Sequence, residues 1–179
     1  MGAGGKGQRI EDYIPRLYGY AVSLSGDNHD AHDLVQETAL KSLNASRIPE
    51  DEPAFRAWLF VILRNSWLDL ARRRGRRPEM SGTEADYEQI GAETWSHDDS
   101  LISTLTVKFS LARLSTDHRD VLGLVDVSGF SYSEAADILG VPAGTVTSRV
   151  ARARTALLKQ LEAGNIVNFP SEKRQQARR

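Results

Sequence analysis

The sequence predicts an all-α protein: two small helical domains joined by a flexible acidic linker, the second built around a helix-turn-helix. Three observations predict it. Apolar residues recur at spacings of three and four through most of the chain. The charges are segregated into blocks. A capping sequence, a glycine and a proline follow one another at the spacing of two short helices meeting at a tight turn.

The formal net charge is -1 over 179 residues, which taken alone argues against a nucleic-acid partner. Its distribution reverses that argument. Residues 1–80 hold 12 basic and 11 acidic side chains, and residues 108–179 hold 11 basic and seven acidic ones. Between them, residues 81–107 hold six acids (Glu84, Asp86, Glu88, Glu93, Asp98, Asp99) and no Lys or Arg. Such a shift reads as a linker between domains, the alternative being an acidic surface loop within one domain. The organisation predicted is therefore 8–78, an acidic linker at 79–107, a second domain at 108–163 and a basic tail at 164–179.

The first domain opens its helical pattern with Ala31, Leu34, Val35, Thr38, Ala39 and Leu43, with Asp27 or Asn28 as the cap. The opposite face shows His32, Asp33, Gln36, Glu37 and Lys41, which on residue type alone is a solvated face. Asn44 to Pro53 is polar, holds two prolines and reads as a loop. Phe55, Trp58, Leu59, Ile62, Leu63, Trp67 and Leu70 then form one stripe of a longer helix, with Arg56, Arg64, Asn65 and Asp69 on its polar side. The aromatics follow the core stripe and read as core rather than as base-stacking platforms. The helix runs into Arg72, Arg73, Arg74, Gly75, Arg76 and Arg77 and stops at Pro78. Five arginines in six positions make a local field suited to phosphate.

In the second domain, Phe109, Leu111, Ala112 and Leu114, then Val121, Leu122, Leu124 and Val125, suggest two helices separated by Ser115 and Thr116. Ser131-Tyr132-Ser133-Glu134 is a capping box that opens a short helix. Gly140 permits the tight turn, Val141 fills the angle, and Pro142 starts the next helix. That helix presents short polar side chains and arginines, namely Thr145, Thr147, Ser148, Arg149 and Arg152, with Val146 and Val150 inward. This is the composition a recognition helix needs to approach base edges.

Together these stretches resemble the bacterial extracytoplasmic-function (ECF) sigma factors, the minimal two-domain sigma factors, over residues 8–163. Asp30 through Thr38 resembles the helix that grips the polymerase clamp. Phe55 through Asn65 with the arginine run resembles the promoter −10 melting helix, and Gly129–Ala136 with Pro142–Arg154 resembles the −35 reader. The resemblance implies core RNA polymerase (the beta-prime clamp and beta subunits), promoter DNA and an anti-sigma factor as partners. It implies polymerase-binding roles for Asp33, Gln36 and Glu37. It places Asn44, Arg56, Arg64, Asn65, Arg72, Arg73 and Arg74 at the −10 DNA, with the Asn44–Pro53 loop capturing a flipped base. Tyr132, Ser133, Thr145, Thr147, Ser148, Arg149 and Arg152 fall at the −35 DNA. Relatives often carry Lys or Arg at the position of Thr147. The Gly-Phe-Ser-Tyr and Glu-Ala-Ala wording resembles the alphaproteobacterial general-stress branch, in which a sigma-like domain of a response regulator removes the anti-sigma protein.

Other classes are weighed on the same residues. A sigma mimic that only sequesters an anti-sigma factor needs neither the arginine run nor the Ser148/Arg149/Arg152 helix. A conventional helix-turn-helix regulator needs no Asp-Leu-Val-Gln-Glu helix. No nucleotide-binding glycine loop or nucleophile elbow points to an enzyme. His29 and His32 lack further ligands at metal-binding spacing, and the chain has no cysteine, so no metal or other cofactor is expected. Without an apolar signal core at Met1–Gly7 or a membrane-length apolar run, the expected location is the cytoplasm, with no membrane insertion.

Overall fold

A computed structural model describes residues 10–75, 107 and 110–164. The acidic linker, the basic tail, the glycine-rich head and Arg76, Arg77 and Pro78 lie outside the described residues. The first block is α1 (Ile14–Ser25), α2 (Asn28–Leu43) and α3 (Glu52–Gly75). The second is α4 (Thr116–Leu122), a π-helical turn (Gly123–Val127), α5 (Tyr132–Leu139) and α6 (Ala143–Gly164).

α1 is the helix that the sequence reading did not single out. Pro15 sits in its first turn, and Leu17, Tyr20, Ala21 and Leu24 are fully buried on one side. Gly26 ends it at φ 74°, which an L side chain resists, and the chain turns directly into α2. Asp27 caps α2 by accepting from the Asp30 N–H at 2.8 Å. The connection to α3 is shorter than predicted. Asn44 closes α2, and Asp51 accepts from the Ala54 N–H at 3.1 Å. Pro53 therefore lies in the first turn of α3 and not in the loop, because a first-turn residue needs no N–H.

Phe55, Leu59, Phe60, Leu63 and Trp67 of α3 pack into the core, and Trp58 is half-buried. In the second block Ser115 caps α4. At the π turn the Ser128 N–H and hydroxyl both reach back to the Gly123 carbonyl, at 3.0 and 2.7 Å. The capping box of α5 is complete: the Glu134 N–H donates to the Ser131 Oγ at 3.2 Å, and Glu134 accepts from the Ser131 N–H at 2.8 Å. Gly140 takes φ 67° at the turn, and Val146, Val150 and Ala153 seat α6 on the block.

The two blocks are docked on each other. Their buried apolar residues form one continuous cluster. α1 packs on α4 and the π turn, and α3 packs on α5. Phe60 sits at the seam, 5.3 Å from the Tyr20 ring and 4.7 Å edge-on to Phe130. Such an edge-to-face pair contributes about 0.5–1.5 kcal/mol beyond its area.

Candidate nucleic-acid interface

Three surfaces carry the residues singled out above. On α2, Asp33, Gln36 and Glu37 are exposed, while Leu34, Val35 and Thr38 hold the helix in the core. Their charges are met within the same helix: Asp33 lies 3.3 Å from His29 Nδ1, and Glu37 lies 2.6 Å from Lys41 Nζ. Pairs this exposed bind weakly and yield to a stronger partner. The other histidine, His32, lies against the Tyr18 ring.

α3 divides in two. Its C-terminal turn, Arg72 to Arg74, is exposed. Arg72 meets Asp69 at 3.0 Å, and Arg74 makes a bidentate pair with Asp30 at 2.5 and 2.7 Å. Asp30 hydrogen-bonding holds the Arg74 charge more firmly than an ordinary guanidinium. A shallow groove of about 230 Å³ runs between α2 and α3, lined by Asp33 and Glu37 on one side and Arg73 and Arg74 on the other. Two surfaces read separately in the sequence thus adjoin.

Farther up α3, Asn65 is exposed but Arg56 and Arg64 are not. Arg64 Nε donates to Asp120 at 2.8 Å. Asp120 is buried, and its other oxygen accepts the Tyr20 hydroxyl at 2.5 Å. Burial first, and the Asp120 carboxylate second, push the Tyr20 phenol well above its ordinary range. Arg56 donates to Glu134 at 3.1 Å, and its guanidinium carbon lies 4.0 Å from the centre of the Phe130 ring. Asn44 is exposed at the end of α2.

On α6 the −35 candidates share a face. Thr147, Ser148 and Arg152 are exposed, with Thr145 and Arg149 half-buried at its edge. The polar groups are turned back on their own helix: Thr147 Oγ1 donates to the Ala143 carbonyl, Ser148 Oγ to that of Thr145 and Arg152 Nε to that of Ser148. The hydroxyl oxygens keep their acceptor lone pairs, and Arg152 keeps the rest of its fork. Arg149 is only loosely paired, 3.9 Å from Asp117. Tyr132 and Ser133 are exposed in the first turn of α5.

Sequence reasoning missed Tyr20, Asp120 and the second role of Glu134. A signal was present for Asp120: it lies four residues before buried Leu124, next to buried Val121, so the helical period puts a carboxylate on a core face. Among the described residues no group of three or more His, Asp or Glu side chains could hold a metal, and no helix is long and apolar enough to cross a membrane.

The sigma-70 region 2 family matches residues 9–77, and the sigma-70 region 4 family matches residues 107–157. The ECF RNA polymerase sigma factor EcfG of Rhodopseudomonas palustris is 40% identical over 158 residues, 87% of this chain and 84% of that protein. The ECF RNA polymerase sigma factor SigE of Mycolicibacterium smegmatis is 36% identical over 154 residues; the match takes in 83% of this chain but only 58% of that longer protein. Among solved structures, the sigma factor RpoE of Bartonella quintana, crystallised with the anti-sigma factor NepR, has a TM-score of 0.66 at 33% identity and covers 87% of this chain and 95% of its own.

Proposed function

Since the chain belongs to the ECF RNA polymerase sigma factors, we propose that it binds core RNA polymerase and directs promoter-specific initiation under the control of an anti-sigma factor. One observation carries this reading. A single chain joins an exposed acidic face on α2 to a capped helix-turn-helix whose second helix is open to a duplex. Asp33, Gln36 and Glu37 take the polymerase. Asn44, Arg56, Arg64, Asn65 and Arg72 to Arg74 take the −10 strand, while Tyr132, Ser133, Thr145, Thr147, Ser148, Arg149 and Arg152 take the −35 duplex.

Each module alone binds weakly, and joining them raises the effective concentration of the second once the first is bound. The acidic linker at 79–107 runs along a polymerase channel that otherwise holds nucleic acid, repelled from the DNA and attracted to the channel walls. The protein works in the cytoplasm and catalyses no reaction of its own. The likeness to EcfG and to a sigma factor crystallised with NepR favours a general-stress role with an anti-sigma partner of that kind. A mimic without DNA binding leaves the exposed Ser148 and Arg152 of α6 without a use.

Run-off transcription with purified core polymerase on a library of genomic promoters tests the reading. Transcripts from a shared −35/−10 pair are expected, and their absence with every promoter overturns it. Charge reversal at Asp33 and Glu37 together is expected to abolish co-purification with core polymerase while leaving the helical circular dichroism intact.

A further inference from the structure

Arg56 and Arg64, both assigned above to the −10 strand, are the two arginines of α3 that the second block covers. The Arg64 fork is spent on Asp120 at 2.8 Å, and Arg56 on Glu134 at 3.1 Å and on the Phe130 ring. A carboxylate and a phosphate compete for the same N–H groups of a guanidinium, so neither arginine can meet DNA while so held.

The seam is shaped for this contact. A Cβ at Gly123 would fall 2.2 Å from the Ser23 Oγ and 2.7 Å from the Tyr20 ring. A Cβ at Gly19 would meet Val127 at 3.0 Å. The two glycines, one from each block, let α1 and the π turn approach to backbone distance. That approach brings Asp120 under the Tyr20 hydroxyl and within reach of Arg64. Gly123 itself has φ −61° and ψ −40°, ordinary helical values that any residue adopts. Its backbone does not require glycine; the packing of the other block does.

We propose that the docked arrangement is an intramolecular lock, in which Asp120 and Glu134 stand in for DNA phosphates on Arg64 and Arg56. The first block cannot grip the −10 strand until the second swings away, and the missing side chain of Gly123 is what permits closure. This deepens the promoter-binding reading and rests on its assignment of the two arginines.

The chain has no cysteine, so D12C and K159C place two dyes on exposed positions of opposite blocks in the full-length protein. Gly123→Ala is expected to lower energy transfer between them, because alanine suits the helix but not the seam. Binding of a fluorescein-labelled single-stranded DNA of random sequence, followed by anisotropy at low salt, should tighten by about threefold to tenfold in the same variant, the release of two ion pairs. Unchanged energy transfer overturns the lock. So does lost energy transfer with no gain in DNA binding.

Glu134→Gln is the second variant. Glutamine keeps the capping box but frees Arg56, and a smaller gain of about twofold is expected from one released pair. If Gly123→Ala loses its helical ellipticity, Glu134→Gln decides the question, and no gain in binding rejects the lock. Run-off transcription separates the two ideas. A chain that opens and binds DNA as described yet drives no promoter overturns the sigma reading and leaves the lock standing.

Discussion

α3 and α6 both carry arginines away from a buried apolar stripe, yet acids meet them in different ways. On α3, Arg56 and Arg64 are paired with carboxylates 78 and 56 residues away in sequence, at a seam where the side chain of Asp120 is only 7% exposed. On α6, Arg152 bonds its own helix, and Arg149 has one loose contact at 3.9 Å. The first helix is engaged by its own protein and the second is open to a duplex as it stands. A polar helix face thus marks a place that binds something, without telling whether the partner is another molecule or the other half of the chain.

The sharpest way to break this contrast is to remove the seam's central acid. Asp120→Ala strands the Arg64 guanidinium and the buried Tyr20 hydroxyl together. Breaking one side of a buried pair costs about 3 kcal/mol or more, and the urea midpoint should fall accordingly. Asp126→Ala removes the partner of Arg154, an exposed pair on the second block, and should scarcely move it. Equal shifts for the two variants would show that the seam carboxylate is no more constrained than a surface one.

Most of the fold was legible because local rules are written in local sequence. The Ser131–Glu134 box, Gly140, Val146 and Val150 needed only period and capping chemistry, and the structure has them as read. The acidic faces on α2 and the polar face on α6 were legible for the same reason. The docking of the blocks was not. It depends on Gly19 and Gly123 being small at one crossing and on Asp120 reaching Arg64 across 56 residues. No periodicity within either helix records that crossing. Pro53 was misplaced because proline breaks helix interiors but suits first turns, and the turn begins only where Asp51 caps it.

The open helix gives the next largest effect. Arg152→Ala should reduce −35-dependent transcription by the equivalent of about 1–3 kcal/mol, as for a base contact. The loss should vanish on a promoter with a scrambled −35 element. A loss that ignores sequence would make Arg152 a phosphate contact, and α6 would then be less of a reader than its exposure suggests. Ser131→Ala, which deletes the cap of α5 without touching the seam pairs, should lower stability by about 1 kcal/mol in urea denaturation. No change would mean that packing, rather than capping, holds the helix-turn-helix.

The smallest expected effect joins the two regions, because Glu134 belongs to both. Its carboxyl is held below the ordinary glutamate value, first by the Ser131 backbone N–H, then by the Ser131 side chain, with Arg56 adding a smaller pull. A depressed folded value means that the charged form stabilises the fold. That stabilisation is complete above the ordinary glutamate value of 4.5 and is lost as pH falls through the lower folded value. Urea midpoints measured from pH 6 downward should therefore decline more steeply for the native chain than for Glu134→Gln, which keeps the cap but cannot titrate. The energy transfer described above should fall over the same interval in the native chain, since protonation also frees Arg56. If stability declines while energy transfer holds, Glu134 serves the cap alone, and the closure of the seam rests on Arg64, Asp120 and Tyr20.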